Sequence, residues 1–143
     1  MRATVTLLAI YLMISTPVLA ASDKIFMVKS TNQSPEAVVK AIKDYAQEMK
    51  WQYLGDNKVK KGAVTLVKIC IPEVGRLVWP LGLRFSAMLP CGNIGVYQTT
   101  EGTEVSVLHP RYLSLLYPDP KLDRASEVAA PLLKKMLDSV TQD

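Results

Sequence analysis

Hydrophobic positions along this chain repeat with two periods, and the switches between them divide it into elements. Ile25-Phe26-Met27-Val28-Lys29-Ser30 is a compact apolar run bounded by polar residues, and it predicts a first strand. Ser34-Pro35 then supplies an N-cap and a first helical position, a pairing that satisfies an orphan N–H and presets the proline φ. Val38, Ile42, Tyr45 and Met49 follow at helical spacing with Val39 and Ala46 beside them, while Lys40, Lys43, Asp44, Gln47 and Glu48 fall on the other side. Trp51 to Leu54 predicts a short strand closed by a tight turn at Gly55-Asp56-Asn57. From Ala63 to Ile71 the chain is β-branched and apolar, with no breaker before Pro72. Parity puts Thr65, Val67, Ile69 and Ile71 on one face of that strand, and Val64, Leu66, Lys68 and Cys70 on the other.

Glu73 to Leu81 has the start of a short helix, with Leu77 and Val78 apolar, but Gly75 and Pro80 weaken the pattern and Trp79 suits a loop equally well. Asn93–Thr99 and Glu104–Leu108 predict a hairpin around Thr100-Glu101-Gly102-Thr103. Arg111 to Leu116 is apolar and aromatic, and Tyr117-Pro118-Asp119-Pro120 punctuates it. A terminal helix carries the stripe Leu122, Ala125, Ala129, Leu132, Leu133, Met136 and Val140, in which Pro131 should kink or restart the helix. The order predicts an α+β fold, an antiparallel-dominated sheet with two main helices packed on one face. If Ile94, Val96, Val105 and Val107 point toward the helices, alternation turns Asn93, Gly95, Tyr97 and Ser106 away from them. A half-open sheet surface of that kind can bind a ligand, pair with a second copy, or face water.

The first twenty residues change the picture of where such a domain works. Arg2, an apolar run from Ala3 to Ile14, the breaker Pro17 and the small-residue end Val18-Leu19-Ala20 have the layout of a secretory signal peptide. The apolar run is shorter than the ~20 residues that a stable bilayer span needs. Residues 1–20 are therefore expected to be a signal peptide and residues 21–143 one domain, with a flexible lead at Ser22–Lys24 and a periplasmic or secreted location. The processed product is not expected to span a membrane. The 17 Lys and Arg stand against 13 Asp and Glu, an excess of +4 that falls to +3 without Arg2. Export removes nucleic acid from the expected partners, and this mild basic excess favours at most a loose association with anionic surfaces. Lys58, Lys60 and Lys61 form a basic cluster best read as a solvated turn.

Candidate chemistry is sparse. In an exported protein the cysteine pair, Cys70 and Cys91, suits a structural disulfide, worth about 3 kcal/mol for a loop of about twenty residues. It also admits a pair of redox or sulfur-carrying thiols, or two unpaired packed cysteines. His109, the sole histidine, shares parity with Val105 and Val107 and suits a hydrogen-bonded structural role. Cys91, His109, Met88 and Cys70 do not fall at any metal-ligand spacing, and no orienting acid or strained glycine-serine turn accompanies the histidine. No metal, cofactor or catalytic residue is expected.

Lys68-Ile69-Cys70-Ile71-Pro72, then Met88-Leu89-Pro90-Cys91, then Ile94-Gly95-Val96-Tyr97 leading into the hairpin, together resemble the DUF302 family across nearly the whole chain after residue 20. The resemblance implies a compact α+β fold akin to the TATA-binding-protein-like arrangement, with no established activity. The function expected is a non-enzymatic binding or interaction module for a small molecule or a protein, with a homodimer through the open sheet face among its options. Its ligand-binding candidates are Asn93, Tyr97, Trp79 and Arg76. The alternative is a periplasmic thiol-dependent redox or sulfur-carrier protein using Cys70 and Cys91.

Overall fold

The computed structural model describes residues 25–87 and 93–143. The signal-peptide reading of residues 1–20, the lead at Ser22–Lys24 and the Met88–Cys91 motif lie outside the described residues. In chain order the elements are β1 (Phe26–Thr31), α1 (Pro35–Glu48), β2 (Gln52–Val59), β3 (Val64–Cys70), α2 (Pro72–Val78), β4 (Ile94–Thr99), β5 (Gly102–Leu108), α3 (Tyr112–Leu116) and α4 (Pro120–Val140). Two 3-10 turns, Trp79–Leu81 and Leu83–Ala87, follow α2. The strands form one sheet in the order β1-β5-β4-β3-β2 with every neighbour antiparallel. The chain is thus α+β, as its periodicities predict.

Local chemistry starts the helices where the sequence places them. The Ser34 side chain accepts from the Ala37 N–H at 3.2 Å at the head of α1, and Asp119 accepts from the Lys121 N–H at 2.8 Å at the head of α4. Each cap is followed by a proline in the first turn. Helix α4 continues through Pro131 rather than restarting. Its inner side buries Leu122, Ala125, Ala129, Leu133, Met136, Leu137 and Val140 against Val38 and Ile42 of α1 and against Val67, Ile69, Ile94, Val96, Val105 and Val107 of the sheet. All the helices contribute to one side of the sheet, so the core is a single layer between helices and strands.

One turn is displaced from its expected place. Gly55 does not close β2; it sits, with φ +115°, at a bulge where the register shifts between Tyr53 and Gly55, and the strand continues to Val59. The chain turns instead at Lys60–Gly62, where Lys60, Lys61 and Gly62 all take positive φ. A bulge absorbs the glycine's dihedral without ending the ladder, which a turn-forming residue type cannot reveal in advance. The lysines of that region do lie at an exposed turn, and Lys58 reaches Glu36 at 3.3 Å.

The end of the chain is fastened to the start of α1. Asp143 accepts from the Thr31 hydroxyl at 2.6 Å and from the Asn32 N–H at 3.0 Å, and these bonds hold its carboxyl below the usual carboxylate range. The fully buried Thr103 hydroxyl donates to the Gln33 carbonyl at 2.6 Å and closes the same corner.

Candidate functional site: the open sheet face

Alternation along β4 and β5 decides which residues are left outside the core. Ile94, Val96, Val105 and Val107 are buried under the helices, so Gly95, Tyr97, Glu104, Ser106 and Leu108 project from the opposite face. The register extends this face over all five strands. One row across the sheet reads Val28, Ser106, Gly95, Leu66, Asn57, and the next reads Ser30, Glu104, Tyr97, Val64, Val59. Phe26 stands beside Leu108 at the β1 edge. No described helix covers this side, and Phe26 and Val28 are each 46% exposed.

The face is therefore more apolar than the alternation of β4 and β5 alone suggests. Its centre is polar. Tyr97 and Glu104 are cross-strand partners, and the phenol donates to the carboxylate at 2.8 Å. Burial raises the Tyr97 pKa above its ordinary value, the Glu104 carboxylate raises it further, and a hydrogen bond with Ser106 partly offsets both. The phenol is therefore protonated at neutral pH and acts as a donor. Gly95 is what brings these groups together: a Cβ there would lie 3.0 Å from Ser106 Oγ and 3.8 Å from the Tyr97 ring. Without that glycine the serine hydroxyl would have to give way, while the ring would stay in ordinary contact. Two hydroxyls and a carboxylate can bind and orient; they do not make a nucleophile with its base.

Of the residues singled out from sequence, Tyr97 lies at the centre of this face and Asn93, exposed, just precedes β4 with the same parity. Cys70, half-buried, closes β3 with open-face parity opposite Gln52. Cys91 lies outside the described residues. Arg76 and Trp79 are brought to neither: they belong to α2 and its C-terminal end, and α2 packs on α4. The residues that sequence reasoning missed are Glu104, Leu66, Val64, Val28 and Phe26. Parity within each strand was readable, but which strands flank which was not.

His109 sits where β5 leaves the sheet. Its backbone N–H donates to the Ile25 carbonyl at 2.8 Å, and its Nδ1 accepts from the Arg111 N–H at 3.3 Å. Burial lowers its pKa first and the Arg111 charge lowers it further, so the neutral ring with hydrogen on Nε2 matches the geometry. It lines a shallow groove of about 420 Å³ with Ser114 and with Asp123, Ser126 and Glu127 of α4. Ser126 is spent on structure, its hydroxyl donating to the Pro110 carbonyl at 2.8 Å. Among the described residues no three His, Cys, Asp or Glu side chains converge as a metal would require, and no helix is long and apolar enough to cross a membrane.

Comparisons with known proteins agree with this architecture. No protein-family model matches the chain, and no curated protein matches it. Among solved structures it is similar to the crystal structure of an uncharacterized conserved protein, DUF302, from Bacillus stearothermophilus, with a TM-score of 0.72 and 16% sequence identity. The similarity covers 82% of this chain and 98% of that one. The chain thus resembles the DUF302 family in fold, as its three motifs suggest.

Proposed function

We propose that this chain is an exported, non-enzymatic interaction module that works through its open sheet face, and that the face pairs with a second copy of the chain. The observation that carries the reading is the surface around Gly95: donors Tyr97 and Ser106 and acceptor Glu104 sit within a broad apolar face that no described helix covers. Small-molecule sites are concave, whereas this surface is an open sheet. A two-fold partner presents the same patch in reverse, and because Tyr97 already donates to Glu104 within each copy, the phenol brings no unpaired donor into the interface. Export at Ala20 and a bridge between Cys70 and Cys91 belong to the same proposal, since a disulfide suits that compartment.

Sedimentation equilibrium on the exported chain starting at Ala21 tests the pairing. A dimer is expected for the natural sequence and a monomer for Val28→Glu, which sets a charge on the exposed row beside Ser106. A natural chain that stays monomeric at all concentrations refutes the pairing. Intact mass of the exported product reads the other two parts: a chain starting at Ala21 and two thiols fewer than the reduced form. Two titratable thiols in native protein would instead favour the thiol-carrier reading.

A further inference from the structure

A second uncovered apolar surface lies in the helical layer, and nothing in the sheet-face reading uses it. After α2 the chain runs through Trp79–Leu81 and Leu83–Ala87 in two short turns, and after β5 it runs through α3. The edge-on contact of Phe85 with Tyr117, ring centroids 5.0 Å apart, brings these two segments together at one end of the molecule. Phe85 is buried, but its neighbours are not. Leu83 is 80% exposed, Leu116 71% and Leu115 66%, the three highest exposures among the large hydrophobics of the described residues. The Trp79 indole lies over Gly75, where a Cβ would meet its Nε1 at 3.1 Å, and the residue remains 42% exposed.

Within the segments that form the tip itself the charges have one sign; the nearest carboxylates are Glu73 at the start of α2, Asp119 beyond Tyr117, and Asp123 and Glu127 in the groove with Arg111. Residues 76–87 and 110–117 contain Arg76, Arg84 and Arg111 and no acidic residue. Arg76 is exposed on the last turn of α2, just before the tryptophan, and Arg84 is exposed on the same turn as Leu83. Exposed leucines, a tryptophan and a tyrosine between arginines are the side chains that sit at a bilayer interface, with the rings and leucines at the headgroup boundary and the guanidinium groups on lipid phosphates. A second copy of the chain would set arginines against arginines here, unlike the sheet face with its internal acceptor. Charge complementarity therefore selects an anionic partner, and the cluster of open leucines selects one with an apolar interior.

We propose that the tip formed by Trp79, Leu83, Leu116 and Tyr117, with Arg76 and Arg84 beside them, docks the domain on the surface of an anionic lipid bilayer. The exported chain starting at Ala21 is mixed with vesicles of phosphatidylcholine alone or of equal parts phosphatidylcholine and phosphatidylglycerol, and tryptophan emission is followed. Trp51 is buried against Tyr45 and serves as a constant background, so a blue shift reports Trp79. The expected result is a blue shift on the anionic vesicles only. It should disappear in Leu83→Asp/Leu116→Asp, and Arg84→Gln should weaken binding about fivefold, the effect of one basic residue near an anionic surface. Arg84→Gln keeps the test open if the double variant fails to fold. No shift on anionic vesicles, an equal shift on phosphatidylcholine alone, or a shift that grows with protein concentration in the absence of lipid would each overturn the proposal, the last by making the tip a protein–protein contact.

Discussion

The open sheet face and the helical tip both leave large apolar side chains in water, yet the two are supported in opposite ways. On the sheet face Val28, Leu66 and Val64 stand on strands whose backbones are tied on both sides, except at β1 and β2, and whose reverse face is the buried core. At the tip Leu83, Leu115 and Leu116 stand on turns of three to five residues, anchored from below chiefly by Phe85, Leu113 and Val78. Short helices have little stability of their own and depend on packing. The charge pattern differs as well, a carboxylate bonded to a phenol in one and, in the other, Arg84 on a turn that holds no carboxylate. Exposed leucines and valines by themselves would not separate the two surfaces; the support beneath them and the charges among them do.

The largest expected effect comes from removing the anchor of the tip. Phe85→Ala deletes a buried ring from both the core and the Tyr117 contact, and large-to-small changes of this kind cost about 3–5 kcal/mol. A urea titration should show that loss, and limited proteolysis should cut first between Trp79 and Ala87 or within α3. Cleavage first in β4 or β5 would mean that the sheet, not the tip, is the weaker of the two regions.

Gly102→Ala strikes the sheet instead. Gly102 takes φ +131° where the β4–β5 hairpin turns, and a Cβ there would lie 2.6 Å from the Thr31 carbonyl oxygen. That oxygen belongs to the backbone at the end of β1 and cannot swing away, so a loss of about 2 kcal/mol is expected, at the level of a strained backbone site. Equal stability of variant and natural chain in urea would show that the β1–β5 corner yields, which would place both regions on the same footing.

A smaller change tests whether the centre of the sheet face is a working surface or a packed one. Gly95→Ala has two opposing effects: less chain entropy to lose, and a contact at 3.0 Å with Ser106 Oγ that the serine must relieve by rotating. Stability in urea should therefore change by less than about 0.5 kcal/mol. The self-association measured by sedimentation should fall, because the rotated serine hydroxyl no longer presents the same donor and the new methyl stands at the centre of the patch. A variant that associates as well as the natural chain would move the interface away from Gly95.

The same contrast explains what was legible beforehand. Helix starts at Ser34 and Asp119, the buried set Thr65, Val67, Ile69 and Ile71, and the outward turn of Gly95 and Tyr97 all follow from periods of 3.6 and 2 within one element. Strand order does not: pairing of β1 with β5 brings Val28 beside Ser106 through contacts distant in sequence, so the apolar character of the face was hidden. Gly55 reads as a turn because local residue type cannot separate a bulge from a reversal. At the tip the runs Leu81–Leu83 and Leu113–Leu116 look like core, and only their packing shows that Leu113 is buried while Leu115 and Leu116 are open. Of the ligand-binding candidates, Asn93 and Tyr97 share the parity of the open face, while α2 and the turn after it carry Arg76 and Trp79 into the helical layer.

The smallest effect is expected at the junction of the two regions, where β5 passes through His109 into α3. The folded protein holds the His109 pKa below its ordinary value of 6.5, by burial and then by the Arg111 charge. Between the folded and unfolded pKa values the unfolded chain binds more protons, so stability rises with pH there. Above 6.5 the ring is neutral in both states and adds no pH dependence; as pH falls through 6.5 and toward the folded pKa, stability is lost. Urea midpoints measured between pH 7.5 and 5.5 should decline more steeply for the natural chain than for His109→Gln, whose amide keeps hydrogen-bonding capacity without titrating. Because the protonated ring must leave the Arg111 N–H that its Nδ1 accepts, the early loss should appear as faster amide exchange at Arg111 and Tyr112 while the β4–β5 ladder stays protected. Uniform exchange across both would show that sheet and tip open as one unit, and the distinction between a firmly held surface and a loosely held one would then rest on charge alone.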